Sequence, residues 1–170
     1  MIDFLFQIIK NHGMKLIYSD IHIANPLLDA YTIPDTKQII VDITLPHRPR
    51  QHKCILAEEV GHVLYPPMDG SALHHVAEYW DYDCYQRSNI SYRHVKSERA
   101  ALLWATSFLI SDTEFWEFAS QGPHEWWEWL ERFDVEDWFL KRKVGFMRTK
   151  KSFKWREVVK RTTIAGGSGV

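Results

Sequence analysis

Cys54-Ile-Leu-Ala-Glu-Glu-Val-Gly-His62 reads as the middle of a helix running from about Arg50 to Tyr65, stopped by Pro66-Pro67. Residues four apart on a helix share a face, so Glu58 and His62 project together, with Glu59 beside them. That is the arrangement of H-E-x-x-H, with Glu58 in the first histidine's place. In that motif two residues one turn apart bind zinc, and the glutamate works on a water. Gly61 costs about 1 kcal/mol against alanine inside a helix, so it implies a packing reason, the close approach of another backbone. Taken alone, Glu-Glu-x-x-His also has an ordinary reading, as two solvated glutamates and a core histidine.

A mononuclear site needs a third protein ligand and keeps one position for water. Glu98 suits this role. It opens the apolar run Glu98-Arg-Ala-Ala-Leu-Leu-Trp-Ala-Thr-Ser-Phe-Leu-Ile110, within a long helix expected from Tyr92 to Ile110 and capped by Ser91. Packed against the first helix, it can present one carboxylate to the Glu58–His62 pair. His94 lies one turn before Glu98 on the same face. It is a candidate fourth ligand, a catalytic donor to an oxyanion, or a structural histidine.

Outward from these helices the elements are short. Residues 2–12 form an amphipathic helix ended by Gly13. Lys15–Tyr18, Leu28–Ile33 and Gln38–Ile43 are strand candidates, the last two a hairpin through Pro34-Asp-Thr-Lys37. Residues 66–90 read as an insertion with some local helix. Ser111-Asp-Thr-Glu114 is a capping box for a helix ending near Gly122. Pro123 suits the first turn of a helix through Phe133, and Asp134 the cap of one reaching Met147. In the first of these, Trp126, Trp129 and Leu130 make one apolar face suited to core packing. The expected fold is α+β, a small antiparallel sheet beside a helical bundle. One domain spans residues 1–147, followed by a basic extension over 148–170 with a flexible tail.

Leu56-Ala-Glu-Glu-Val-Gly-His62 resembles the metal helix of the ImmA/IrrE metallopeptidase family, whose usual form is Leu-Ala-His-Glu-Leu-Gly-His, with Glu-Glu variants among phage and mobile-element members. Glu98-Arg-Ala…Trp104-Ala…Leu109-Ile110 is similar to the family's second helical motif. Ile39–Ile43 resembles the strand before the metal helix, and Leu130–Leu140 the closing helix pair. Together the match covers about residues 15–147 in order. The resemblance implies a zincin-like metal helix in which Glu58, His62 and Glu98 hold zinc, or manganese or another divalent ion. It makes Glu59 the general base, with His94, His74, His75 or a tyrosine at the oxyanion. It further implies a protein substrate, plausibly a helix-turn-helix transcriptional repressor, and a role as an anti-repressor. The chain departs from the pattern at Glu58 and in the length of 66–90.

Composition bounds the alternatives. The 170 residues include eight Trp and two Cys, with a formal net charge of −1. Cys54 and Cys84 form no C-x-x-C, which argues against a cysteine zinc site and fits a reducing, cytoplasmic setting. No apolar run approaches the ~20 residues of a membrane span, and the N-terminus lacks a basic n-region and a cleavage site. The bases from Lys141 to Arg161, with Glu157 as the only acid, keep open a nucleic-acid-binding reading through Lys143, Arg148, Lys150, Lys151 and Lys154. A solvated charged face is the plainer reading. A third reading makes the protein a non-catalytic regulator in which Glu58 marks a lost metal. If it is a peptidase, an extended substrate adding to a sheet edge is a common recognition mode.

Overall fold

The computed structural model describes residues 1–66, 73–76 and 92–150, with the backbone alone for 73–76, 92–95 and 150. Helix α1 (Ile2–Asn11) buries Leu5 and Ile9, and Gly13 ends it at φ 65°, a conformation costly for any residue with a side chain. Strands β1 (Lys15–Ser19), β2 (Leu28–Ile33) and β3 (Gln38–Asp42) follow, and a single 3-10 turn (Leu45–His47) leads into helix α2 (Pro49–Leu64). After α2 come β4 (Leu73–Val76) and helices α3 (Tyr92–Leu109), α4 (Asp112–Ser120), α5 (Trp126–Phe133) and α6 (Asp137–Lys150). The class is α+β. Among the described residues no helix is long and apolar enough to cross a membrane.

The sheet has the order β1-β3-β2-β4 and is mixed. Strand β4, which the sequence did not announce, pairs antiparallel with β2. The expected antiparallel pairing holds for β2 with β3. It fails for β1, which runs parallel to β3, Lys15 opposite Gln38 and Ser19 opposite Asp42. The reason lies in the connections. The Pro34–Lys37 turn is too short for anything but an adjacent return. Residues 20–27 are long enough to skip one strand position, which β3 then fills.

Helix α2 is the centre of the molecule. Every residue from Cys54 to His62 is buried, so it lacks the one-sided polarity of a surface helix. One side meets the sheet, where Ala30, Ile39 and Val41 are buried; α1 and α3 cover the others. Its pairing with α3 is the most extensive helix contact. Gly61 explains the closeness. A Cβ there would lie 2.6 Å from the Ala101 carbonyl oxygen of α3, nearer than van der Waals contact permits.

The C-terminal helices correct three boundaries. Ser111 caps α4 as expected, its hydroxyl accepting from the Glu114 amide at 3.2 Å. Helix α5 starts at Trp126 rather than Pro123, because His124 stacks on Phe118 with ring centroids 3.8 Å apart and keeps the chain extended there. Its cap is Glu125, whose amide donates to Glu128 Oε2 at 2.6 Å. Asp134 does not cap α6 but closes α5 in the left-handed conformation at φ 50°, one of the few non-glycine residues that tolerates it. Its carboxylate accepts from Arg50 Nε at 3.0 Å and Lys53 Nζ at 2.6 Å, binding α5 to α2. Helix α6 continues to Lys150, past the expected end at Met147. Of the stretch 66–90, expected to hold some local helix, residues 73–76 form strand β4 instead; residues 67–72 and 77–90, the Ser91 cap and the extension beyond Lys150 lie outside the described residues.

Candidate metal centre

Helix α2 presents Glu58 and His62 one turn apart towards α3, and α3 presents Glu98 in return. One ligand atom from each lies within 4.8 Å of the others, and all three residues are buried. His62 Nε2 and Glu98 Oε2 are 3.6 Å apart. A tetrahedral ion with ligands at about 2.1 Å spaces them by about 3.4 Å, so this pair already stands at metal-ligand separation.

The electrostatics suit a cation. Burial pushes the Glu98 carboxyl up to about 8, and the neighbouring Glu58 charge adds to the shift. Glu59 is fully buried and its carboxyl is pushed well above the usual range. Burial is the main cause; the Glu58 and Glu98 charges reinforce it, and a hydrogen bond from Thr32 opposes it. Three buried carboxyl groups lie close together beside one imidazole, and a divalent ion would relieve the repulsion among the carboxylates. The residues present therefore fit a divalent metal.

Glu59 does not share the α3-facing position of its neighbours. Its Oε2 accepts from the Thr32 hydroxyl of β2 at 2.5 Å, while Oε1 has no hydrogen-bond partner among the described residues. The charges of Glu58 and Glu98 still act on it, so it borders the cluster. His94 lies on α3 one turn before Glu98, and His74 and His75 lie on β4 opposite Tyr31 and Ala30. The side chains of all three fall outside the described residues.

Comparison with protein-family models, with curated proteins and with solved structures returns no match.

Sequence reasoning missed Thr32. A β-branched residue in a strand carries no signal beyond strand preference, and its bond to Glu59 exists only because β2 lies under α2. A polar cluster at the other end of β2 was also unread. Asp29 is the extra residue where the β2–β4 register shifts between Leu28 and Ala30. Its carboxylate accepts from Gln51 Nε2 at 3.0 Å and faces His22 Nε2 at 3.4 Å. His22 Nδ1 lies 3.5 Å from Asp42. Burial pushes Asp42 up, yet the Thr44 hydroxyl and amide bonds together with His22 outweigh it and hold its carboxyl below the usual range. This cluster ties the 20–27 connection to the sheet and to the start of α2.

The basic run loses a member. Lys143 is buried on α6, with Nζ 2.5 Å from Asp112 Oδ1, so it cannot meet phosphate without unfolding that contact. Lys141 pairs with Asp137 one turn away. Trp129 is fully buried while Trp126 and Leu130 pack on the core, in line with a packing role for the tryptophan-rich segment.

Proposed function

We propose that this protein is a metal-dependent peptidase of the ImmA/IrrE kind, with α2 as a zincin-like metal helix. The observation that carries the reading is the convergence of Glu58, His62 and Glu98 from α2 and α3 at ligand separation, with Glu59 alongside.

Glu58, His62 and Glu98 would hold the ion. When bound, it supplies Lewis acidity at a carbonyl and lowers the pKa of a water. The Glu59 carboxylate takes the proton of the attacking water and returns it to the leaving amine. With Glu58 and Glu98 ionised, the formal charge of a divalent ion is cancelled, so the site activates water less than a two-histidine, one-glutamate set does. A second carboxylate also weakens the preference for zinc relative to manganese. The substrate on this reading is a protein in the cytoplasm, a transcriptional repressor of a phage or mobile element. It would bind as an extended segment along a sheet edge, such as β4, which ends the sheet among the described residues.

Incubation of the metal-reconstituted protein with the repressor encoded beside it tests the reading. Cleavage should stop with chelator and in Glu59→Gln. A repressor left intact but bound equally well by wild type and Glu59→Gln would favour the second reading, a non-catalytic anti-repressor, for which Glu58 in place of histidine speaks.

A further inference from the structure

Strand β2 is tied to α2 at two points. Asp29 accepts from Gln51, and about two turns further along the helix Thr32 donates to Glu59. Thr32 is fully buried, and so is Ala30 on the same face of the strand. A hydroxyl in such a place costs free energy unless it is bonded, and Glu59 Oε2 satisfies it at 2.5 Å. The branched Cβ limits threonine to few side-chain orientations, so the hydroxyl is aimed by the strand itself. Glu59 is thereby divided: Oε2 is occupied by the protein, and Oε1 has no hydrogen-bond partner among the described residues. A fully buried carboxylate oxygen without a donor is costly to keep, and such exceptions concentrate where a water or substrate completes the site.

We propose that Thr32 is a positioning residue that clamps Oε2 of Glu59 and so reserves Oε1 as the atom that takes the proton from water. The proposal rests on the peptidase reading. The hydroxyl removes one rotational freedom of the carboxylate, and proton transfer depends on that alignment. It needs no contact between Thr32 and the substrate or the ion.

Thr32→Val removes the hydroxyl at nearly constant shape, and Thr32→Ser keeps it. Full-length protein reconstituted with zinc would be assayed on a quenched-fluorescent peptide library, and both variants crystallised with zinc. Thr32→Val should lose about tenfold or more in kcat with KM changed less than about twofold, and Thr32→Ser should stay near wild type. Zinc affinity should be equal in all three. In the Thr32→Val crystal the Glu59 carboxylate should be turned from its wild-type orientation. A Thr32→Val protein with wild-type kcat, or a Thr32→Ser protein as impaired as Thr32→Val, overturns the proposal. So does an unturned Glu59 in the Thr32→Val crystal. If wild type hydrolyses nothing, the peptidase reading falls, while the orientation of Glu59 in the two crystals still decides the clamp.

Discussion

Glu58 brings an anionic oxygen to a position where an imidazole would bring a neutral nitrogen. Soft and borderline ions prefer the nitrogen, so Glu58→His should bind zinc about tenfold more tightly in a competitive chelator titration. Tighter zinc binding by the wild type would remove the argument. Glu98 makes a second prediction, for the metal-free protein. Its carboxyl lies near 4.5 when unperturbed and is pushed up to about 8 by burial and the Glu58 charge. The folded state therefore holds this proton more tightly than the unfolded chain. The stabilisation is complete below about pH 4.5 and is lost as pH rises through about 8. Without metal, the melting temperature of wild type should fall across that window more steeply than that of Glu98→Gln. Parallel profiles would refute it. Asp42 and Asp134, held below the usual carboxylate range, act at the opposite limb: their stabilisation is lost only as pH falls through their lowered values. At this scale the pairing of Glu58 with His62 was legible because one-turn spacing is a property of the chain itself. Thr32 was not, because its partner is set by which strand passes beneath which helix.

Among the elements, α2 and α3 decide whether the ligands meet. Gly61→Ala places a methyl group 2.6 Å from the Ala101 carbonyl oxygen, and backbone cannot yield as a flexible side chain can. Alanine would gain about 1 kcal/mol in helix propensity, but overpacking at this point should outweigh it and leave a net loss of about 1–2 kcal/mol. Denaturant titration measures this, and a stabilised Gly61→Ala would show that the helices separate freely. The same glycine was readable in advance as a close approach, since nothing else accounts for it in mid-helix. Leu28–Ile33 was equally legible, its ends marked by turn residues. The parallel partner of β1 was not, because pairing across a skipped strand leaves no local pattern. The start of α5 was misread because a stacked His124 overrode the preference of Pro123 for a first turn.

At the scale of the molecule, an ion between α2 and α3 would join two segments separated by the whole of residues 65–91. An ion that binds only the folded state stabilises it by about 4 kcal/mol at a thousandfold excess over its Kd. For a chain of this size that corresponds to a rise of about 10 °C in melting temperature. Zinc or manganese should produce that rise in wild type and lose it in His62→Ala. Equal melting of both proteins with and without metal would dissociate the cluster from metal binding. The antiparallel-sheet expectation and the basic run both met their limits at this scale: the first at β1, the second at Lys143, whose charge is spent inside the protein on Asp112.

The notch at Gly61 has a consequence for motion. The Ala101 carbonyl sits where a side chain would otherwise be, with Ala57 and Glu58 one turn before it and Leu64 one turn after it on the same face of α2. A slip along the axis would carry the carbonyl out of the notch and, within a turn of about 5.4 Å, against those side chains. The two helices therefore cannot shear past each other by small steps, as packed helices do in many closing enzymes. Glu58, His62 and Glu98 therefore keep one mutual register, held by the same contact that seats the Ala101 carbonyl.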